Sequence, residues 1–334
     1  MRFEEAQQSF FELLDSVEPQ SVPEFLQWIN DSFAVDTGDR GISVINKDEN
    51  ICDSTNVVEA NAVLRSIAAD IRNELPCTAV LPSENLHWPK SGTDSDIKPE
   101  TTVHVDSFLY EDDEVDNLVE IGKLSRDFCT QCGSRDIKPL TFISHSLSVD
   151  QLRYIFVFLV PLNATMTNRI IIDIGSRLGA VLYAAFLYSR GRIYAVGIEL
   201  NSDFCRLQEK ILNDNGMSER VKVINDDLRG QSSLISQGDV LVMNNVFNFF
   251  LAESDQLQCW SFLYENVRGG AVIVSNPSLE EATSHLQLPF KLQDWVDKVD
   301  TNHLAARFAG TNEDLFDDVK DICLYSVKHR DNSQ

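Results

Sequence analysis

Basic residues are scarce in this chain of 334 residues. Lysine and arginine together number 28, against 52 aspartates and glutamates, which gives a net charge of -24 at pH 7. That average field repels a phosphate backbone, so the composition argues against general nucleic-acid binding. It attracts cations, and a basic protein substrate is the partner class that it favours. The alternative is that the acidity only keeps the protein in solution.

Long apolar runs are also missing. The longest strongly apolar stretch covers residues 154–162 and contains Pro161. A membrane span needs ~20 apolar residues, so we expect no membrane association. The N-terminal residues are acidic and amphipathic, whereas a secretory signal begins with basic residues before an apolar run. We therefore expect a cytoplasmic or nuclear protein, and the sequence leaves its oligomeric state open.

The seven cysteines are scattered, and their odd number and the missing signal peptide argue against a disulfide framework. Only Cys129 and Cys132 stand at a spacing typical of metal ligands. A tetrahedral structural zinc site needs four ligands. The sequence predicts a candidate zinc knuckle made of His104, Cys129, Cys132 and His145. The alternative is two buried free thiols and two unrelated histidines.

Strands and helices alternate from residue 169 onward. Residues 169–174 include four isoleucines, as in a parallel sheet buried on both faces. Further strands are predicted over residues 193–199, 221–224, 239–243, 270–275 and 322–327. Helices are predicted over residues 180–189, 202–215, 257–266 and 292–299. This alternation predicts an α/β fold with a doubly wound, mostly parallel, Rossmann-like sheet.

The residues before 150 show a different pattern. Residues 3–33 and 57–75 have helical periodicity, and residues 82–101 are rich in Pro, Ser and Asp, as in a linker. Ser148 is the predicted cap of a helix that runs to residue 159. We divide the chain into a helical N-terminal region with its linker (1–100), a candidate zinc-knuckle insert (101–150) and a Rossmann-like domain (151–334).

Ligands of open α/β sheets bind at the carboxyl ends of the strands. The first predicted strand runs into a glycine-containing loop, whose candidate cofactor residues are Asp173, Gly175, Ser176, Arg177 and Gly179. The G-x-G-x-x-G pattern of dinucleotide sites is absent, and Asp173 would repel a pyrophosphate. S-adenosylmethionine has no phosphate and carries two cationic groups, which suit an aspartate.

Polar residues follow the next three predicted strands. Glu199 offers two oxygens to the hydroxyls of a ribose, and Asp226 or Asp227 can accept from an adenine amino group. The alternative is that these acids cap turns. Asn244 and Asn245 leave the fourth strand beside several aromatic residues. Because buried amides demand partners, we predict that both orient an acceptor nitrogen and that Asn244 also contacts the cofactor.

This ordered set of residues resembles the class I S-adenosylmethionine-dependent methyltransferase superfamily. The acidic-x-Gly-x-Gly-x-Gly loop of that superfamily is matched at Asp173, Gly175 and Gly179, and Arg177 replaces its middle glycine. The resemblance implies that Glu199 is the ribose acid and Asp227 the adenine-side acid. A shorter stretch resembles the non-SET histone lysine methyltransferases of the disruptor-of-telomeric-silencing type, through Asn244-Asn245, Arg268-Gly-Gly270 and Val274-Ser275.

The resemblance implies in-line methyl transfer from S-adenosylmethionine to a protein side chain such as lysine. Such a displacement depends mainly on alignment and desolvation, because the sulfonium is already activated. Two alternatives remain. One is a catalytically inactive methyltransferase fold that serves as a binding or scaffold module, which Arg177 in the glycine loop favours. The other is a methyltransferase with a small-molecule acceptor.

Overall fold

The computed structural model describes residues 33–36, 43–46, 54–84, 86–90, 92, 95–129, 137–162 and 166–329. The chain divides into two units, residues 1–51 and 52–334, whereas the sequence-based division placed its boundaries at residues 100 and 150. In the first unit, β1 (Phe33–Asp36) pairs antiparallel with β2 (Ser43–Asn46). The helical region predicted over residues 3–33 lies outside the described residues, except for its last residue in β1.

The second unit begins with a long helix and several short elements. In chain order they are α1 (Ser54–Glu74), β3 (Thr102–His104), α2 (Asp112–Glu120), β4 (Asp127–Cys129), β5 (Ile137–Pro139), β6 (Thr141–Ile143) and α3 (Val149–Arg153). Strand β3 pairs parallel with β6, and β4 pairs antiparallel with β5. Ser148 caps α3 as predicted, since its side chain accepts from the Gln151 N–H, and a π-helical turn (Tyr154–Leu159) continues that helix.

A seven-stranded sheet forms the centre of the second unit. Its strands are β7 (Ile170–Ile174), β8 (Tyr194–Glu199), β9 (Val221–Asn225), β10 (Val240–Asn244), β11 (Val272–Asn276), β12 (Val296–Val299) and β13 (Cys323–Val327). Their spatial order is β12-β13-β11-β10-β7-β8-β9. All neighbours are parallel except that β13 runs antiparallel to β11 and β12. This confirms the predicted doubly wound, mostly parallel, Rossmann-like fold.

Eight further helices complete the described part of the unit. They are α4 (Ala180–Tyr188), α5 (Ser202–Asp214), α6 (Ser232–Ile235), α7 (Glu253–Asn266), α8 (Leu279–Ala282), α9 (Leu292–Trp295), α10 (Asn302–Ala309) and α11 (Glu313–Lys320). The helix predicted over residues 292–299 is wrong beyond Trp295, because residues Val296–Val299 pair with β13 as strand β12. Helices α6, α8, α10 and α11 were not predicted.

Apolar side chains pack on both faces of the sheet. Successive residues of a strand point to opposite faces, so Ile171 joins one hydrophobic cluster and Ile172 joins the other. Leu64 and Ile67 of α1 belong to the same cluster as Ile171, so the segment before the sheet covers one of its faces. Across the described residues, no helix combines the length and apolar character that a membrane span requires.

Candidate functional site

The carboxyl ends of β7, β8, β9 and β10 meet at one edge of the sheet. The chain passes outward from β7 through β8 to β9 and then returns to β10 on the other side of β7, a reversal that opens a crevice. A cleft of about 310 Å³, here called the central cleft, lies at this edge. Its charged lining residues are Glu84, Arg177, Glu199, Asp226 and Asp227, and its apolar walls include Phe204, Val246, Phe247, Phe250 and Leu251.

The glycine loop joins β7 to α4 with three left-handed residues, Gly175 (φ 72°), Arg177 (φ 40°) and Gly179 (φ 80°). A Cβ atom on Gly175 would lie 2.5 Å from Val246 Cγ2, so only glycine fits at this position of the cleft wall. Gly179 precedes α4, and its Cβ would meet the ring of Tyr183 at 2.6 Å. The two glycines are therefore required by packing as well as by their backbone angles.

Arg177 is buried, with its side chain 7% exposed, and it makes a set of contacts that the sequence did not suggest. Its Nε donates to Glu84 Oε1 at 3.0 Å, and its Nη1 donates to Asp106 Oδ2 at 2.7 Å. Its Nη2 donates to the Ala79 carbonyl oxygen at 2.6 Å. The guanidinium carbon also lies 5.0 Å from the centroid of the Phe204 ring. Arg177 thus lines the central cleft, and its guanidinium forms ion pairs with residues that precede the sheet in sequence.

Glu199 ends β8 inside the cleft, where the sequence placed it. Its Oε1 accepts from the Asn201 N–H at 2.7 Å, and its Oε2 accepts from the Arg177 N–H at 2.9 Å. Burial raises the pKa of this carboxyl, and the two backbone hydrogen bonds oppose that rise. Each carboxylate oxygen can accept a second hydrogen bond. Glu199 is therefore held in a fixed position and can still accept from a ligand.

Asp173 does not line the central cleft, although we expected it at the rim with Glu199. It is 4% exposed and lies within the electrostatic range of Glu199. Burial, and secondarily the Glu199 charge, raise its pKa to about 8. Ser176 also faces inward, since its Oγ would lie 2.5 Å from a Cβ on Gly197. Neither Asp173 nor Ser176 is among the residues that line the cleft.

Asp226 and Asp227 both line the cleft beyond Glu199. Asp227 caps the turn Leu228–Gly230 and forms an ion pair with Arg229 at 2.6 Å, and hydrogen bonding from Arg229 lowers its pKa. Asp226 is exposed and accepts from the Gln231 amide. Asp227 thus has the capping role that the sequence offered as the alternative, and Asp226 is the more accessible acceptor at this end.

Asn244 is the last residue of β10 and lines the central cleft, whereas Asn245, which follows it, does not. Its Nδ2 donates to the His145 carbonyl oxygen at 3.2 Å, and its Oδ1 accepts from Asn276 at 3.0 Å. Asn245 (φ 44°) lines a separate small cavity with Trp260. The two predicted catalytic residues therefore line different cavities. Only Asn244 is placed where it could contact a ligand of the central cleft.

The two histidines of the predicted zinc knuckle lie in contact, and His145 lines the cleft. His104 Nδ1 is 2.9 Å from His145 Nε2. Burial lowers the pKa of His145 to about 2 and also lowers that of His104. Cys132 and the side chain of Cys129 lie outside the described residues. In the described part of the chain, no three His, Cys, Asp or Glu side chains form a metal-binding group.

Several residues that were not predicted reach the cleft from the segment before the sheet. Ser83 and Glu84 line the cleft, and Asp106 holds the Arg177 guanidinium. Residues 82–101 were predicted to be a linker because their composition is that of a loop. Glu84 and Arg177 are separated by 93 positions, so no local pattern connects them.

No protein-family model and no curated protein matches this chain. Among solved structures it is similar to an RNA methyltransferase from Salinibacter ruber in complex with S-adenosyl-L-homocysteine, at 17% identity over 55% of this chain and 94% of that chain, with a TM-score of 0.34. A SAM-dependent O-methyltransferase from Thermotoga maritima has 15% identity over 57% of this chain and 69% of that chain, with a TM-score of 0.38. At these identities and TM-scores, the similarity carries no argument about the chemistry of the site.

The charge of the central cleft is unbalanced. Four carboxylates line it, from Glu84, Glu199, Asp226 and Asp227, and Arg177 is the single lysine or arginine among its described lining residues. Asp173 is a fifth acidic group, buried within the electrostatic range of Glu199. Buried carboxylates without a cation are costly, which is why burial raises the pKa of Asp173. The arrangement therefore suits a ligand that carries positive charge.

Proposed function

We propose that the central cleft binds S-adenosylmethionine and that the protein transfers the methyl group of this cofactor. The carrying observation is the position of Glu199, whose two oxygens are fixed by main-chain N–H groups beside the glycine loop. A carboxylate in that position can accept from both hydroxyls of a ribose. The surplus of carboxylates around it matches the ammonium and sulfonium charges of the cofactor.

The other residues of the cleft would hold the rest of the nucleoside. Asp226 would accept from the adenine amino group, with Asp227 kept in its ion pair with Arg229. Gly175 would let the backbone approach the cofactor closely, and the positive charge of the cofactor would lower the pKa of Asp173 and favour its ionised form. Phe247 and Phe250 would exclude water from the region next to Asn244. When bound, the cofactor supplies a methyl group on an already activated sulfonium.

Methyl transfer then requires mainly that the acceptor is aligned and desolvated, which can contribute ~7 kcal/mol or more. We infer that Asn244 orients the acceptor nitrogen, because one amide hydrogen and one carbonyl lone pair remain beyond its bonds to His145 and Asn276. Asn245 stays a sequence-based prediction. The net charge of -24 favours a basic protein side chain such as lysine as the acceptor.

A small-molecule acceptor is the second candidate, and a cavity supports it. A separate cavity of about 310 Å³ adjoins the central cleft and shares Leu251 with it. Its lining includes Trp88, Asn248 and His285. A volume of this size is typical of small-ligand sites.

Methyl-labelled cofactor tests these alternatives together. The full chain is incubated with the labelled cofactor and a proteome extract, and label is followed in the protein and small-molecule fractions. A labelled protein band supports a protein acceptor, and label confined to small molecules supports the second candidate. Either label should disappear with Glu199→Ala and persist with Glu219→Ala, because Glu219 is exposed and precedes β9 at the opposite edge of the sheet. No label with a folded protein would leave only the scaffold role.

We also propose that His104 and His145 contribute two ligands to one structural zinc ion, with Cys129 and Cys132 as the others. Two nitrogens at 2.0–2.1 Å from a tetrahedral zinc lie roughly 3.3 Å apart, close to the 2.9 Å between His104 Nδ1 and His145 Nε2. Metal analysis of the purified protein should find about one equivalent of zinc, lost in Cys132→Ser. A folded protein without zinc would remove this proposal.

A further inference from the structure

The segment before the sheet crosses the central cleft at three strand ends. We call residues 79–84 and 86–90 the strap. Its Ala79 carbonyl and Glu84 carboxylate bind Arg177 of the glycine loop, and Ser83 Oγ accepts from Asn201 beyond β8 at 3.2 Å. The His87 N–H donates to the Phe249 carbonyl beyond β10. The strap therefore forms a wall of the cleft that the strands themselves do not provide.

Arg177 and Glu84 face the cleft with unused hydrogen-bonding capacity. Their side chains are 7% and 5% exposed, and both line the cleft. A guanidinium has five N–H donors, and Arg177 uses three of them on Glu84, Asp106 and Ala79. Glu84 accepts from Arg177 and, through Oε2, from the Leu81 N–H at 3.3 Å, so lone pairs remain. A ligand can thus bind both members of this ion pair without breaking it.

The order of residues along the cleft decides which part of a nucleoside reaches this pair. If Asp226 marks the adenine and Glu199 the ribose, the substituent on the ribose 5′ carbon points toward the glycine loop, where Arg177 and Glu84 lie. In S-adenosylmethionine that substituent ends in an amino acid, which carries one carboxylate and one ammonium. A fixed arginine–glutamate pair offers the complementary charges side by side.

We propose that the Arg177–Glu84 pair is the receptor for the amino-acid end of the cofactor, with Arg177 binding its carboxylate and Glu84 its ammonium. This inference rests on the proposed function. It gives a positive reason for the arginine that replaces the middle glycine of the loop. Arg177 accepts a left-handed backbone (φ 40°), which glycine would adopt more easily, because its side chain both anchors the strap and binds the ligand.

The two explanations of Arg177 predict opposite results for Arg177→Gly. If the arginine were a defect in the loop, glycine would restore the superfamily pattern, relieve the backbone and strengthen cofactor binding. If Arg177 anchors the strap, glycine leaves Glu84 and Asp106 buried without their cation and removes the partner of the ligand carboxylate. Binding of the amino-acid end should then be weakened by tenfold or more, roughly the effect of losing one charged hydrogen bond.

The experiment uses two probes on the full chain, S-adenosylhomocysteine and 5′-methylthioadenosine, which share the adenosine but differ in the amino-acid end. Calorimetric titration should show that the wild type binds S-adenosylhomocysteine at least about tenfold more tightly. Glu84→Gln and Arg177→Gly should reduce this preference. Arg190→Gly, at an exposed arginine that also has a left-handed backbone (φ 54°), should leave it unchanged.

Equal wild-type affinity for the two probes, or tighter S-adenosylhomocysteine binding by Arg177→Gly, would contradict the proposal that this pair binds the amino-acid end. Neither result would contradict binding of the nucleoside. If neither probe binds the folded wild type, the proposed function itself fails. Should Arg177→Gly not fold, the wild-type preference and the Glu84→Gln result still decide the question, because Glu84→Gln keeps the shape of the side chain.

Discussion

Two arginine–carboxylate groups stand at opposite ends of the central cleft. Arg177, with its side chain 7% exposed, is held by Glu84 and Asp106. Arg229, with its side chain 32% exposed, is held by Asp227 and Asp255. Both arginines pair with two carboxylates, but their surroundings differ. Water reaches the Arg229 group and is largely excluded from the Arg177 group. The comparison shows that burial, and not the number of ion pairs, decides what such a group contributes.

The largest expected effect is at the buried end. Arg177→Ala should lower the free energy of unfolding by about 3–5 kcal/mol, because it leaves the buried carboxylates of Glu84 and Asp106 without their cation. Urea unfolding measures this loss. Arg190→Ala, at an exposed arginine, should change stability by about 0.5 kcal/mol or less. A loss at Arg177 below about 1 kcal/mol would mean that the buried and exposed groups are equivalent.

Gly175→Ala tests how closely the glycine loop, at the buried end of the cleft, packs against Val246. A Cβ at this position meets Val246 at 2.5 Å, whereas a Cβ on Gly216, also left-handed (φ 66°), meets nothing within 4 Å. Both variants bear the strain of a left-handed alanine, and only the first bears a clash. Thermal or urea unfolding should show Gly175→Ala to be the less stable by about 1–3 kcal/mol. Equal stability would contradict the close packing of the loop on Val246.

The two ends should respond to pH with opposite sign. Burial raises the pKa of Asp173 to about 8, so the folded state retains a proton that the unfolded chain releases near pH 4. Its stabilising contribution is complete below about pH 4 and is lost as pH rises toward about 8, at up to ~1.4 kcal/mol per pH unit. Unfolding free energies across this range should fall for the wild type relative to Asp173→Asn. Parallel profiles for the two proteins would contradict the buried carboxyl.

Asp227 shows the opposite shift, since hydrogen bonding from Arg229 lowers its pKa. Its contribution is present at neutral pH and is lost only as pH falls below the unfolded value of about 3.9. The smallest expected effect belongs here. Arg229→Ala should change the free energy of unfolding by about 0–1 kcal/mol at neutral pH, because the pair is solvated. A loss as large as that for Arg177→Ala would break the comparison.

How much of the fold and the site could be predicted depends on whether a feature is set by local sequence or by residues far away in the chain. The strands of the sheet were predicted from runs such as Ile170–Ile174, since local hydrophobicity marks a buried strand. Glu199 was found because an acidic residue ends such a strand. Strand β12 was missed because its conformation comes from pairing with β13, which follows it by more than 20 residues. The partners of Arg177 lie still farther away, 71 and 93 positions upstream.

The residue roles at strand ends were harder to predict than the strands. Asp173 was expected among the cofactor-binding residues, yet its side chain is buried and does not line the cleft. Asn245 was expected to orient the acceptor together with Asn244, but it has a left-handed backbone and lines another cavity. In both cases the residue type was informative, and the direction of the side chain depended on a turn that the sequence pattern does not specify.

The most direct test of the account is a calorimetric titration of the full chain with S-adenosylmethionine at neutral pH. We expect one site with a micromolar dissociation constant, weakened at least about tenfold in Glu199→Gln and unchanged in Glu219→Gln. A folded wild-type chain that releases no heat and shows no binding would contradict the claim that these carboxylates form a site for a positively charged nucleoside.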